Sequence, residues 1–468
     1  MERLKKIGSV IPKSSSEIKH SRIGIGFEKL DRDVFDPEKA YDKLAAIGVK
    51  WVRIQSGWAR TEKEKGIYDF EWIDKVVDNL IQRGLKPWIC LCYGNGIYGG
   101  MAQEVFGAVG CPPIHTDEQK KAWENYVKET VRHFKGRVDT FEIWNEPDGE
   151  WCWKHGSNPT EFGEFSTDTA VYIKEINPDA EVVGGVFCIR DLNFVNEALK
   201  TGMGKVIDAI SFHEYTPFEE LVFERVSTLS ALGKMYNPNM KIIQGESGSQ
   251  SRSGGAGALC KGAWTQRKQA KQLLRHTIAD LMTECEFTSY FSCMDMIEAL
   301  NGKVGDTASY LDYGYFGVLG ADFDENGRST GEYTPKESYR ALANICSLFS
   351  EDIERCNLPI LFKPQESLRI FGQDLKERET INASFVKPNG SKAFVYWHPS
   401  SIMTGDFEGT VTIQVAGITD KMKFIDMLTG DVYEIPEEMT ERSSDDCFTI
   451  KHLPVKDYPL VITFGDFE

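Results

Sequence analysis

Two glutamates, each directly after a short apolar run, are the residues of this 468-residue chain best suited to chemistry. Glu146 follows the run FEIWN at 141–145 and precedes a proline, and Glu246 follows the run KIIQG at 241–245. Two opposed carboxylates can cleave a glycosidic bond, because one protonates the leaving oxygen while the other attacks the anomeric carbon. Their pKa values must then differ, so that one is protonated and the other ionised near neutral pH. The amide of Asn145 can hydrogen-bond a substrate hydroxyl.

Strand and helix patterns alternate steadily over residues 22–349 and supply the elements that would position these glutamates. Apolar runs such as KWVRIQ at 50–55 precede stretches with helical spacing of apolar residues, such as 71–84. We count eight such units, the number that closes a (β/α)8 barrel, and place Glu146 after the fourth strand and Glu246 after the seventh. The strand C-termini form the active face of such a barrel, so both carboxylates are expected at one mouth.

The pattern changes after about residue 352, where short apolar or alternating runs are separated by turn residues. We therefore predict an α/β fold, a (β/α)8 TIM barrel with a C-terminal all-β sandwich domain. The predicted divisions are an N-terminal segment at 1–20, a catalytic barrel at 21–350 and an accessory β-sandwich at 351–468. The N-terminal segment is expected to add a strand to the β domain.

Other polar and aromatic side chains also fall near the predicted strand ends. His213 and Tyr215 end the sixth strand, and strand alternation puts them on the same side; a hydrogen-bonded core histidine is the alternative for His213. Glu28 follows the first strand and could hold a sugar hydroxyl or form a surface salt bridge. Sugar rings stack on aromatic side chains, and core packing is the alternative for each candidate. The aromatic candidates are Trp58, Tyr93, Trp144, Trp151, Trp153 and Trp264.

The two glutamates and their strands resemble the large clan A of (β/α)8 retaining glycosidases, which carry the acid/base and the nucleophile on strands four and seven. The similarity covers roughly residues 20–350 and includes the stretch KGIYDFEWID at 65–74. Within the clan the chain is most similar to family 39, the β-xylosidase and α-L-iduronidase group, with family 5 next. The resemblance implies double displacement with net retention, Glu146 as the acid/base and Glu246 as the nucleophile.

The resemblance also implies roles for other residues. Asn145 matches the substrate-binding neighbour of the acid/base, and Arg53 on strand two matches an arginine near the nucleophile, where its charge would keep Glu246 ionised. A structural salt bridge is the alternative for Arg53. Tyr215 matches a tyrosine whose hydroxyl lies near the nucleophile. Many clan members carry a tryptophan at the end of strand eight, whereas this chain reads YFSCMD at 290–295, where Tyr290 or Phe291 could take its place.

Composition narrows the expected partners. The net charge of −17 at pH 7 argues against nucleic acid and anionic membrane surfaces but is compatible with a neutral sugar. No apolar stretch resembles a signal peptide or a membrane span, and the 11 cysteines lack metal-binding spacing, so we expect a cytoplasmic protein with reduced thiols. The predicted partner is a carbohydrate substrate and no cofactor is implied; the oligomeric state is left open.

Three other functions are compatible with parts of this pattern. The same two glutamates could catalyse transglycosylation, since only the acceptor differs from hydrolysis. A sugar-binding barrel without activity is disfavoured by the intact glutamate pair. A metal-dependent barrel hydrolase would need clustered His and Asp ligands at the strand ends, and the 8 histidines show no such cluster.

Overall fold

The computed structural model describes residues 1, 3–364 and 380–467, and its larger part is a closed barrel of eight parallel strands. Pairing of the first strand with the eighth, for example Ile25 with Tyr290, completes the closure. This confirms the predicted (β/α)8 barrel. The barrel strands are Ile23–Gly26, Trp51–Gln55, Lys86–Leu91, Thr140–Ile143, Glu181–Phe187, Ala209–His213, Lys241–Ser247 and Thr288–Tyr290.

Helices follow the strands and cover the outside of the barrel. The helix Glu71–Gln82 shows why they form, since Ile73, Val76, Val77 and Leu80 recur at helical spacing and are the residues that it buries. The main helices are Tyr41–Ile47, Glu71–Gln82, Asp117–Phe134, Pro159–Ile176, Leu192–Ala198, Leu221–Lys234, Gln266–Leu281 and Glu337–Leu348. Among the described residues, we find no helix with both the length and the apolar character that crossing a membrane requires.

An insertion of two β-hairpins separates the eighth strand from the closing helix. It consists of Met296–Ile297 paired with Tyr313–Gly314, followed by Leu319–Phe323 paired with Ser329–Pro335. The sequence pattern predicts a closing helix over 334–349, whereas in the structure this helix is Glu337–Leu348, because residue 334 lies in the last hairpin strand. The strands are short and carry polar residues on exposed faces, so they lack the apolar periodicity that identifies an element.

The C-terminal region consists of two antiparallel sheets, as predicted. Phe362 on the smaller sheet contacts Tyr396 on the larger one with ring centroids 5.5 Å apart, and the Tyr396 hydroxyl donates to the Pro454 carbonyl at 2.7 Å. The sheets therefore pack as a sandwich. In order, the larger sheet contains Lys5–Ser9, Asp431–Glu434, Met422–Asp426, Leu460–Phe464, Lys392–Trp397, Ile381–Val386 and Glu354–Cys356, and the smaller contains Ile360–Pro364, Glu408–Ala416, Cys447–Lys456 and Thr440–Ser444.

The sandwich packs on the barrel through the buried helix Gln266–Leu281. Lys271 of this helix forms an ion pair with Asp457 at 2.7 Å, and Arg275 pairs with Glu219 at 2.7 Å. Trp397 of the sandwich donates its indole N–H to the same Glu219 at 2.7 Å. These pairs explain why a helix with so many charged residues can be buried, since a buried charge needs a partner.

Candidate active site

A cavity of about 550 Å³ opens at the C-terminal ends of the barrel strands. Its volume lies within the roughly 300–1,000 Å³ typical of small-molecule sites. Both predicted catalytic glutamates line it. So do five of the other predicted site residues, namely Glu28, Tyr93, Asn145, Trp151 and Tyr215.

Glu146 is presented to the cavity by an unusual backbone turn at the end of the fourth strand. Trp144 and Glu146 both have positive φ, at 64° and 45°, a conformation rarely adopted by residues other than glycine. The Glu146 carboxylate is held on both sides, because its Oε1 lies 2.7 Å from Nδ1 of His213 and its Oε2 accepts the indole N–H of Trp151 at 2.5 Å. Strained residues concentrate at functional sites, where the surrounding contacts maintain them.

Glu246, in the seventh strand, faces the same point from the opposite side of the mouth. Its Oε2 accepts the hydroxyl of Tyr215 at 2.6 Å and lies 3.4 Å from Nδ1 of His213. Its Oε1 accepts a hydrogen bond from the guanidinium of Arg53. One oxygen of each glutamate and Nδ1 of His213 lie within 4.8 Å of one another. The two carboxylates can therefore act on two bonded atoms of one molecule in the cavity.

Arg53 lies at the centre of the polar network beneath the cavity. It is completely buried and donates to Glu28 at 2.8 Å, to the Oδ1 atom of Asn145 at 2.8 Å and, through Nε, to Glu142 at 2.7 Å, in addition to Glu246. The planar guanidinium with its five donors suits such a site, which a lysine could not reproduce. The network fixes the base of the cavity, since removing one partner of a buried ion pair leaves an uncompensated charge.

Part of the barrel is similar to known proteins. Residues 38–234 match the family model of glycosyl hydrolases family 39. Over these residues the chain is similar to that family. A β-xylosidase from Geobacillus stearothermophilus is 27% identical over 161 residues, which are 32% of this chain and 31% of that protein. A β-xylosidase from Caldicellulosiruptor saccharolyticus is 26% identical over 187 residues, 36% of this chain and 37% of that protein.

A solved structure extends the likeness to the whole fold. The crystal structure of a monomeric β-xylosidase from Caulobacter crescentus CB15 superposes with a TM-score of 0.60 at 15% identity, covering 98% of this chain and 97% of that chain. At this identity the likeness shows a shared fold. The sequence alignments span about a third of the length of the two curated relatives.

Electrostatics distinguish the two glutamates of this family 39-like site. Burial raises the pKa of Glu246 to about 7, an effect reinforced by Glu28 and Glu146 and opposed by His213 and Arg53. Burial also disfavours ionisation of Glu146, but the hydrogen bond and charge of His213, together with the hydrogen bond from Trp151, lower the pKa of Glu146 overall. Burial acts to lower the pKa of His213, yet the charges of Glu246 and Glu146 raise it.

Four of the six predicted aromatic residues do not line the cavity, namely Trp58, Trp144, Trp153 and Trp264. Trp144 and Trp153 are completely buried. Trp58 is fully buried behind the barrel strands, where it stacks on Tyr126 with centroids 5.3 Å apart and donates to Glu62 at 2.5 Å. Trp264 is also buried and donates to the Leu259 carbonyl at 2.7 Å. Their positions near strand ends were read correctly, but position along the chain does not tell which way a loop side chain points.

Phe291, one of the two residues expected in place of the strand-eight tryptophan, lines the cavity directly after the eighth strand and lies edge-on to Phe316, with centroids 5.4 Å apart. Other residues in or beneath the cavity were not singled out from the sequence. Glu298 reaches the cavity from the inserted hairpin region, next to Lys29. Glu142, which accepts from Arg53 beneath the cavity, had a readable signal, because it is a lone carboxylate inside an apolar strand.

Glu146, His213 and Glu246 also form a group spaced closely enough to hold a metal ion. It is the one group of three such side chains within the described part of the chain. The ligand types would suit a divalent transition metal. However, the Arg53 guanidinium already neutralises Glu246 at this point, and a second cation beside it would be repelled.

Proposed function

We propose that this protein is a retaining glycosidase that cleaves a β-linked glycoside by double displacement. In this proposal Glu146 is the acid/base and Glu246 the nucleophile. The observation that carries it is the opposed carboxylate pair, whose nearest oxygens lie within 4.8 Å. Retaining enzymes hold their carboxyl groups about 5–5.5 Å apart, whereas inverting enzymes need about 6.5–9.5 Å to admit a water molecule.

The reaction then has two steps. In the first, an oxygen of Glu246 bonds to the anomeric carbon as the glycosidic bond breaks, and Glu146 gives its proton to the departing oxygen. In the second, Glu146 takes a proton from water, the water oxygen bonds to the anomeric carbon and the Glu246 ester bond breaks. The hydrogen bonds of Tyr215 and Arg53 to Glu246 support this assignment, since they aim its carboxylate and stabilise its charge on release.

Taken alone, these roles would require a raised pKa for the acid Glu146 and a lowered pKa for the nucleophile Glu246. In the structure the pKa of Glu146 is lowered and that of Glu246 is raised. We assign the roles from strand position and contacts, and place the required proton on the hydrogen-bonded pair of Glu146 and His213. His213, with its raised pKa, holds this proton 2.7 Å from Glu146 and can return it when the leaving oxygen approaches. The pair therefore titrates as a unit.

The activity of the two relatives suggests the first substrates to test. Both curated relatives are β-xylosidases, and we propose that this chain acts on β-xylosides or similar neutral glycosides, in an exo fashion on small molecules. Within this proposal, residues 21–350 form the catalytic barrel, residues 351–468 form an accessory domain, and the segment 1–20 joins that domain through the strand Lys5–Ser9.

A covalent trap tests the proposed nucleophile. We expect 2,4-dinitrophenyl 2-deoxy-2-fluoro-β-D-xyloside to inactivate the enzyme and to add one fluorosugar to the peptide that contains Glu246. The fluorine slows both steps by destabilising the oxocarbenium-like transition state, while the good leaving group lets the first step proceed. Peptide mass spectrometry reads out the site, with the variant Glu246→Gln as the unlabelled control. Labelling of Glu146 instead would reverse the two roles.

The pH dependence provides a second prediction. We expect kcat/KM for 2,4-dinitrophenyl β-D-xyloside to fall below about pH 7, because the nucleophile must be ionised and burial raises the pKa of Glu246 to about 7. An ordinary glutamate, with a pKa of about 4.3, would sustain activity to about pH 5. This substrate needs little acid assistance, so its acid limb reports Glu246. Recovery of full activity on return to neutral pH controls for unfolding, and a level profile down to about pH 5 would contradict the prediction.

A further inference from the structure

An apolar surface continues outward from one side of the active-site mouth. Ile189 and Arg190, on the loop after the fifth strand, line both the active-site cavity and a second pocket of about 280 Å³. This second pocket lies between the helices Leu192–Ala198 and Leu221–Lys234. Its apolar wall is formed by Ile189, Leu192, Val195 and Leu229. The two cavities are therefore neighbours that share a wall.

The two arginines that line the second pocket are engaged within the protein. Arg225 donates to the carbonyls of His213 at 3.0 Å and Phe187 at 2.8 Å. Arg190 donates to the Leu221 carbonyl at 2.6 Å and forms ion pairs with Glu214 at 3.3 Å and with Glu224 at 3.8 Å. Most of the remaining surface of the pocket is apolar, and its other polar side chains are Asp191 and Thr228.

Large apolar side chains are exposed at the outer edge of the second pocket, around Ile189 and Leu192, which we call the rim. Ile189 is 43% exposed and Leu192 is 46% exposed. Apolar side chains grouped at the edge of a cleft mark a binding site more often than they mark an ordinary surface. The rim thus offers apolar contacts to a group that extends out of the cavity.

The rim lies beside the loop that carries Glu146, the proposed acid. Asp148, two residues after Glu146, accepts hydrogen bonds from the backbone N–H groups of Cys188 at 3.1 Å and Ile189 at 2.7 Å. The loop after the fifth strand is thereby fixed to the loop that carries the proposed acid. A group whose oxygen is protonated by Glu146 has Trp151 and Ile189 as its neighbours in the cavity wall.

We propose that the second pocket is an aglycone site for an uncharged apolar group, such as the alkyl or aryl part of a glycoside. This inference rests on the proposed function, because it takes Glu146 as the group that protonates the aglycone oxygen. The sugar occupies the cavity over the two glutamates, and the aglycone crosses the shared wall at Ile189 and Arg190. The substrates favoured by this site are glycosides of apolar alcohols or phenols.

A series of alkyl β-D-thioxylosides, from methyl to octyl, tests the inference by competitive inhibition or calorimetric binding. We expect the dissociation constant to fall about two- to fourfold for each added methylene until the pocket is filled. The variant Leu192→Ser should remove most of this gain for octyl while leaving the methyl compound unchanged. Leu192 is exposed, so the substitution leaves the core intact. Met235→Ser is the matched control, since Met235 is 80% exposed beyond the far end of the helix Leu221–Lys234.

The outcomes separate this inference from the proposed function. Hydrolysis of β-D-xylosyl fluoride, which has no aglycone, should be the same in wild type and Leu192→Ser and should be lost in Glu246→Ala. If the wild type released fluoride no faster than Glu246→Ala, the proposed function would be refuted for xylosides. Equal affinity for methyl and octyl compounds in the wild type, or equal losses in Leu192→Ser and Met235→Ser, would overturn the aglycone site. A concentration-dependent dimer abolished by Leu192→Ser, without a chain-length effect, would make the rim a protein interface and overturn it too.

Discussion

Replacing Glu246 with alanine is expected to lower kcat for hydrolysis of aryl β-D-xylosides by on the order of 10,000-fold or more, because no other group can form the covalent intermediate. Its neighbours Arg53 and Tyr215 remain but have no nucleophile to orient. Initial rates on 4-nitrophenyl β-D-xyloside measure the loss. A matched control is Glu298→Gln, which alters another buried carboxylate on the cavity wall and should cost far less than Glu246→Ala, because Glu298 pairs with Lys29 and is not one of the two opposed carboxylates.

Rescue by an external nucleophile makes the Glu246 prediction specific. Alanine leaves a space beside the anomeric carbon, and azide can enter it from the face that Glu246 occupied. We therefore expect azide to restore turnover of an activated substrate in Glu246→Ala and to yield the α-glycosyl azide, since a single displacement inverts the β-configuration. A β-glycosyl azide, or a variant with more than about a tenth of wild-type activity, would contradict the role of Glu246.

Replacing Glu146 with alanine should give a loss that depends on the leaving group. For methyl β-D-xyloside, whose alkoxide leaves poorly, we expect kcat/KM to fall by about 1,000- to 10,000-fold, the range of general acid catalysis. For 2,4-dinitrophenyl β-D-xyloside, which leaves without a proton, the loss in kcat/KM should be about tenfold or less. The ratio of the two losses measures the proton transfer itself, free of any general damage to the fold.

Azide also distinguishes the role of Glu146 from that of Glu246. In Glu146→Ala the covalent intermediate still forms on Glu246, and azide then displaces it in the second step. Two inversions give net retention, so the product should be the β-glycosyl azide. An equal loss on both substrates, or an α-glycosyl azide from this variant, would show that Glu146 is not the acid/base.

The barrel was predictable because its strands are buried on both faces and therefore read as apolar runs between helices with clear periodicity. The sequence pattern also predicts a helix over 117–134, and the structure has it as Asp117–Phe134. Thr116 caps its start by accepting a hydrogen bond from the Gln119 N–H at 3.1 Å. The polar edge strand Thr440–Ser444 and the hairpins after the eighth strand gave no such signal. Their pairing depends on tertiary contacts that sequence periodicity does not encode.

The proposed catalytic pair was also predictable, since each glutamate directly follows an apolar run, but its surroundings were only partly so. Arg53 could be placed near Glu246 by resemblance, whereas its contact with Glu142 depends on the barrel closing around both side chains. Trp151 and Trp58 have similar positions near strand ends, yet Trp151 lines the cavity and Trp58 packs behind the barrel. Loop geometry decides between these two outcomes, and it follows no short-range pattern.

The most direct test of the central claim is a proton NMR time course of 4-nitrophenyl β-D-xyloside hydrolysis, recorded before mutarotation equilibrates the product. If Glu246 forms a covalent intermediate that water then displaces with help from Glu146, the β-anomer of the sugar will appear first and the α-anomer only later, by mutarotation. Initial appearance of the α-anomer would mean a single displacement by water and would contradict the nucleophilic role of Glu246.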